Sequence, residues 1–357
     1  MRQNSSSPYH SSIVVLAVAA CLGAAGCSTL GWYFQAARGQ LELLAKREDI
    51  EKVIAAPDTS PEVRRKLETA LEARAFAAAE LALPDDGSYS DYVELDRDAV
   101  LFNVVATPEF SLEPKTWCYP FAGCLAYRGY FRRRAAESLA ERLAEDGMDT
   151  AVAPVAAYST LGWFDDPVTS PMLAWDETRL AGLIFHELAH QRVFVKGDTA
   201  FNEAYATAVG RAGVRRWLDG QPGALAQWQR QRALDQRFVG LLLATKDALE
   251  RIYAEGGSPA ELRARKRARF EQFERDYTEF RERHETNAFD RFMRRDLNNA
   301  HLAQVATYEA GVRAFADLLA EYGGDFERFH QAVDRLASAG REARAEFLNR
   351  CRARTSQ

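Results

Sequence analysis

The run His186-Glu187-Leu188-Ala189-His190 lies inside an apolar stretch, Leu180 to Val195, and this narrows the folds open to the chain more than any other feature. Residues four apart on a helix share a face, so both histidines point the same way and Glu187 stands beside them. Two imidazoles and a carboxylate on a buried apolar helix are costly unless a metal ion or a partner satisfies them. The segment therefore predicts a helix, N-capped by Asp176, whose histidines hold a cation. Zinc suits such donors, because a catalytic zinc takes three protein ligands and keeps one position for water. H-E-x-x-H on a helix also supplies a general base, here Glu187.

The third ligand follows from geometry. Beyond His190 the helix has about five residues left, or about 7.5 Å at about 1.5 Å per residue. Lys196-Gly197-Asp198-Thr199 then makes a turn, in which Gly197 permits unusual dihedrals. A second helix beginning near Thr199 returns about 6 Å by Glu203, level with His190. The expected ligand set is His186, His190 and Glu203, with one Zn²⁺ per chain. Asp198 reads either as the N-cap of this second helix or as a partner for a ligand histidine. Asn202-Glu203-Ala204-Tyr205-Ala206 resembles the N-E-x-x-A glutamate helix of gluzincin peptidases.

The N-terminus has another character. Ile13 to Ala25 is an apolar run of about 13 residues, too short to cross a bilayer and suited to the core of a signal peptide. Ala24-Ala25-Gly26-Cys27 resembles a bacterial lipoprotein cleavage site, with Cys27 as the lipidated first residue. The third residue before the cysteine is Ala24 where that pattern usually has Leu. Residues 1–26 read as a lipoprotein signal peptide, and acyl chains on Cys27 would hold the protein on a membrane. By the same resemblance, Ser28 after Cys27 implies outer-membrane sorting. Ordinary secretion with an incidental Cys27 is the rival reading. Cys118 and Cys124 lie in a turn-prone segment, and an oxidising compartment favours a disulfide between them over free or metal-binding thiols. Cys351 is left over.

Residues 27–357 read as one metallopeptidase-like domain. A small sheet and the active-site helices extend to about residue 220, and a helical part spans 221–350. A helix is expected from Ser28 to about Ala56, and another from Ser60-Pro61 to about Leu83. Val100 to Val105 and Leu125 to Phe131 read as strands, as does Thr150 to Tyr158 at a sheet edge, where Pro154 is tolerated. Arg132 to Glu145 reads as helix, and Ser159 to Trp175 as a loop. After the metal helices everything reads helical, with Ser258-Pro259-Ala260-Glu261 as a capping box. Phe270, Phe273, Tyr277 and Phe280 form an apolar stripe of the core kind. Arg263, Arg265, Lys266, Arg267 and Arg269 read as a solvated face. The fold class expected is α+β, predominantly helical and zincin-like, with a small sheet before the active-site helix. A net charge of −5 and a pI near 5.8 argue against nucleic acid as a partner.

Several segments together are similar to the bacterial putative-aminopeptidase lipoprotein family. They are Gly31-Trp32-Tyr33, Gln40 to Leu44, Pro114 to Cys118, Tyr127 to Phe131, Tyr158 to Pro167, the H-E-L-A-H helix and Asn298-Asn299-Ala300. The resemblance implies a gluzincin-type zinc peptidase, anchored by lipid and facing the periplasm, acting on a peptide or protein substrate. A donor to the tetrahedral intermediate is needed besides zinc. Tyr205, His301 and Tyr308 are the candidates, His301 and Tyr308 because gluzincins often place this donor on a late helix; each also reads as ordinary packing. Asp165 and Asp166 read as contacts for a substrate amine or as turn caps before Pro167. Two other functions fit the same residues: a catalytically idle, zinc-stabilised envelope scaffold, and a zinc hydrolase of a non-peptide amide. A scaffold has no need of Glu187.

Overall fold

The computed structural model describes residues 31–119, 123–157, 165–303 and 309–350. The signal-like segment, Cys27, Ser28, Pro120, the motif stretch 158–164, Tyr308 and Cys351 lie outside them. Two units separate at Lys46 and Arg47. In the first, helix α1 covers 31–45, with Phe34 and Leu41 exposed.

In the second unit the order is β1 (Glu48–Asp49), α2 (Ile50–Ala55), α3 (Pro61–Leu81), β2 (Asp91–Val93), β3 (Leu101–Pro108), β4 (Trp117–Tyr119), β5 (Gly123–Leu125), β6 (Arg128–Tyr130), α4 (Arg133–Glu145), β7 (Met148–Val155) and β8 (Val168–Thr169). Helices follow: α5 (Ser170–Leu173), α6 (Glu177–Arg192), α7 (Thr199–Trp217), α8 (Pro222–Glu255), α9 (Pro259–Arg283), α10 (Asp290–Met293), α11 (Asn299–Ala303), α12 (Glu309–Glu321), α13 (Phe326–Ser338) and α14 (Arg341–Asn349). With 64% of the residues helical and three small sheets among the described residues, the fold is predominantly helical α+β.

The sheets are short. One has the order β1-β2-β8, with β2 and β8 parallel; one has β6-β3-β7, antiparallel; β4 and β5 form a hairpin. β7 lies at an edge, which gives Pro154 the position where a missing N–H is tolerated. The expected strand from Leu125 to Phe131 is instead divided between β5 and β6, which belong to different sheets. The expected loop after Ser159 contains β8 and α5. The helix expected from 28 to 56 is interrupted: Asp49 accepts a bond from Lys52 N at 3.0 Å and caps a new helix, while Glu48 and Asp49 pair with β2. An aspartate that bonds the backbone two or three residues on competes with helix continuation.

Among the described residues, two larger hydrophobic cores and a small cluster of Val105, Ala151 and Ala300 organise the second unit. The larger joins α3, α6, α7, α12, α13 and α14 through Leu67, Phe185, Phe201, Phe315, Phe329 and Phe347. The smaller gathers Phe238, Leu242 and Leu249 of α8 with Phe273, Tyr277 and Phe280 of α9, so the aromatic stripe is core. α8 reaches both: Leu225 and Trp228 pack against the larger core. At about 1.5 Å per residue it is roughly 50 Å long. The Ser258–Glu261 capping box starts α9. The basic cluster on α9 is a solvated face at Arg263 and Arg267, which are exposed, but not at Lys266 and Arg269, which are largely covered. Arg263 forms a two-pronged pair with Glu109, Lys266 bonds Asp149 at 2.5 Å, and Arg269 bonds Thr245 at 2.6 Å. Lys266 thus docks the helix on β7, and Arg269 docks it on α8.

Candidate metal centre and active site

α6 begins where Asp176 accepts from Arg179 N at 2.8 Å, and Lys66 of α3 donates to the Trp175 carbonyl. Its buried residues Leu180, Ala181, Ile184, Phe185, Leu188 and Ala189 recur at the helical period and face the larger core. Burying each large side chain contributes about 1.5–3 kcal/mol. That leaves His186 and Glu187 on the half-covered side. The helix stops at Val193, whose backbone is extended, and Arg192 grips Asp334 of α13 through two bonds of 3.2 and 2.9 Å.

The return to α7 is pinned on several sides. Asn202 accepts from Val195 N and donates to Val195 O, both at 2.8 Å. Asp198 caps α7 through Phe201 N and takes a 2.7 Å bond from Arg344 with its other oxygen. α6 and α7 touch backbone to backbone: a Cβ on Gly210 would lie 3.0 Å from Gly182 O and 3.4 Å from His186 Cβ.

The hairpin brings three donors together. His186 Nε2 and His190 Nε2 are 3.1 Å apart, His186 Nε2 is 3.4 Å from Glu203 Oε2, and His190 Nε2 is 3.7 Å from Glu203 Oε1. Ligands at about 2.0–2.1 Å from a tetrahedral ion stand about 3.3 Å from one another, so both the spacing and the donor types fit zinc. His190 is 8% exposed at its side chain, but His186 and Glu203 keep 22% and 28%, so the group opens to solvent on one side. Burial works against the charge on Glu203, yet His186 and His190 outweigh it and hold the carboxyl below its usual range.

Glu187 does not join this group. Burial raises its carboxyl to about 7; His186 opposes the rise, while Glu203 and Asp166 add to it. A carboxyl poised there can accept and return a proton at neutral pH. Beside it lies a turn from Gly87 to Ser90, in which Ser90 Oγ donates to Gly87 O at 2.6 Å. Gln191 of α6 donates to Ser88 Oγ at 3.0 Å and to Asp166 Oδ2 at 3.4 Å. Asp166 N donates to Ser88 Oγ at 3.2 Å, and Tyr89 N to Asp166 O at 2.6 Å. Asp166 is thus placed near Glu187, whereas the backbone carbonyl of Asp165 is held by Arg47. Ser88, Tyr89 and Gln191 were not legible as site neighbours, since nothing in Asp85-Asp86-Gly87-Ser88-Tyr89 marks more than a turn.

The other candidates lie elsewhere or outside the described residues. His301 shares hydrogen bonds with Asn298, meets the Phe292 ring edge-on, and is lowered to about 4, chiefly by burial. None of these partners belongs to the three-donor group. The Tyr205 hydroxyl is 2.9 Å from Nδ1 of His330, whose Nε2 is 2.9 Å from the Leu81 carbonyl. A carbonyl only accepts, so Nε2 carries the proton and Tyr205 donates to Nδ1. Cys118 and Cys124 are joined by a disulfide across the β4–β5 hairpin. A Cβ on Gly123 of that hairpin would meet Gly197 Cα at 3.6 Å, which places the hairpin against the link between α6 and α7.

A protein-family model described as "Putative aminopeptidase" matches residues 31–348. No curated protein and no solved structure matches the chain.

Proposed function

The chain belongs to the putative aminopeptidase family, and on that premise we propose that it hydrolyses peptide bonds with one zinc ion held by His186, His190 and Glu203. The carrying observation is the convergence of those donors at 3.1–3.7 Å on a helix hairpin, with Glu187 beside them. Zinc at such a site lowers the pKa of a water toward neutrality and polarises a carbonyl.

The protein's own part is proton transfer and positioning. Glu187 takes a proton from the attacking water as the oxygen bonds to the carbonyl carbon. It returns that proton to the nitrogen as the carbon–nitrogen bond breaks. Burial, which raises this carboxyl, favours its taking up the proton in the first half of the cycle. Asn202, by clamping both polar groups of Val195, holds Glu203 in register with the histidines.

The family description favours removal of N-terminal residues, and the signal-like N-terminus favours a lipid-anchored enzyme of the bacterial envelope. The test is digestion of a peptide library by the purified protein, with and without a chelator, reading cleavage positions by mass spectrometry. Chelator-sensitive release of N-terminal residues is the expected outcome. Cleavage indifferent to chelation, in a protein without zinc, would overturn the proposal.

A further inference from the structure

Tyr89 combines three properties that do not go together in an ordinary core residue. Its side chain is 1% exposed. Its backbone has φ of +61°, at the third position of the Gly87–Ser90 turn, where glycine or asparagine is usual. For a bulky side chain that conformation is an outlier, and outliers of this kind cluster at functional sites. Lastly, its hydroxyl makes no hydrogen bond to any other described residue, and burial with the charges of Glu187, Asp166 and Asp86 raises its pKa. Packing requires neither the strained backbone nor the hydroxyl, since a phenylalanine on a relaxed turn would fill the same space.

The surroundings show which part of the active-site helix the turn adjoins. Gln191, four residues after Glu187 and so on the same face of α6, donates to Ser88 Oγ at 3.0 Å and to Asp166 Oδ2 at 3.4 Å, which sets the turn that carries Tyr89 against the Glu187 face. The turn is fixed to the active-site helix through Gln191 and Ser88, to the 165–166 segment through the Tyr89 and Asp166 backbones, and to α3 through Arg74, which donates to Ser88 O at 3.0 Å. Those bonds set the ring before any substrate arrives. Burial and the nearby carboxylates also keep the phenol protonated, so it remains a donor.

We propose that Tyr89 is a catalytic residue whose hydroxyl donates a hydrogen bond to the oxygen of the scissile carbonyl as negative charge builds on it. The proposal rests on the peptidase reading above and supplies the donor that reading needs. Glu187 works on the water that attacks that carbonyl, so a donor beside Glu187 borders the reacting centre. A donor fixed in advance is worth most in the transition state, and removal of one such donor typically costs about a hundredfold or more in kcat.

The test compares the full chain, purified in detergent, with Tyr89→Phe, which keeps the ring. The variant is expected to retain its zinc and its melting temperature and to hold KM within about threefold, while kcat falls about a hundredfold. Binding of a phosphinic peptide, a mimic of the tetrahedral species, should weaken by a similar factor, while binding of the cleavage products is unchanged. Addition of the phosphinic peptide to the wild-type chain should give a tyrosine ultraviolet difference band that is absent in the variant. Wild-type kcat and phosphinic-peptide affinity in Tyr89→Phe would overturn the proposal and leave the peptidase reading standing. So would loss of zinc together with equal weakening of mimic and product, the mark of a structural role. A wild-type chain that neither binds zinc nor cuts peptides overturns both.

Discussion

Glu187 and His190 stand three positions apart on one helix, yet their neighbours assign them opposite tasks. His190 converges with Glu203 and His186, while Glu187 stands outside that group, on the face where Gln191 bonds Ser88 and Asp166. Glu187→Gln keeps the size and removes the carboxylate. On the proposed reading the variant should keep about one zinc per chain while kcat falls by about 10²–10⁴, measured by elemental analysis and peptide turnover. His330 makes a prediction of another kind. It is fully buried between Tyr205 and Leu81 O, and burial, with help from Arg192, lowers it to about 4 against the pull of Leu81 O, Asp334 and Glu327. As pH falls through about 6.5 the unfolded chain binds this proton first. Stability contributed by neutral His330 is therefore complete above that pH and is lost progressively toward pH 4, by about 3 kcal/mol at most. Thermal melting at pH 7 and pH 4.5 should show a smaller acid loss in His330→Gln than in wild type, with His301 accounting for part of what remains. The histidines and Glu203 could be read from spacing, because helical periodicity fixes which residues share a face. Tyr89 could not, because its nearness to Glu187 comes from contacts between segments far apart in the sequence.

At the scale of elements, the closeness of α6 and α7 decides the site. Gly210 has the Gly182 carbonyl and His186 Cβ against it, so Gly210→Ala must move backbone and not merely a side chain. The expected cost is about 1–3 kcal/mol by denaturant unfolding, together with weaker zinc retention during dialysis. Wild-type stability and zinc content in that variant would show that the helices do not depend on this contact. The disulfide hairpin acts from outside, where Gly123 lies on Gly197. Replacing Cys118 and Cys124 by serine should lower stability by about 2–3 kcal/mol, since the loop they close is short. Most helices were legible in the sequence because their caps and breakers are local: Ser60 with Pro61, Asp176, and Ser258 with Glu261. The strands were less so, because pairing depends on partners elsewhere in the chain. Glu48–Asp49 lacks β-forming residues and is a strand only by virtue of β2. Leu125 to Phe131 looks continuous but serves two sheets.

For the whole molecule, α8 links the two larger cores, and α9 is held by ion pairs to Asp149 of β7 and to Glu109 just after β3. Among the described residues no helix is long and apolar enough to cross a membrane. The proposed attachment is through Cys27. Intact-mass measurement of membrane-extracted protein should give a chain beginning at Cys27 with added acyl mass. A soluble product beginning elsewhere would refute the anchor. The α6–α7 hairpin also bears on timing. All three proposed metal donors lie within it, and closing so short a connection costs little entropy. Glu187 comes with them, but Tyr89 and Asp166 are delivered by segments that emerge earlier and must dock from a distance. A folding chain would thus gather its proposed metal donors before it has a finished catalytic wall. On the proposed chemistry, a half-folded molecule would then be loaded but inert, and its neighbours would be safe from it until the last distant segment arrived.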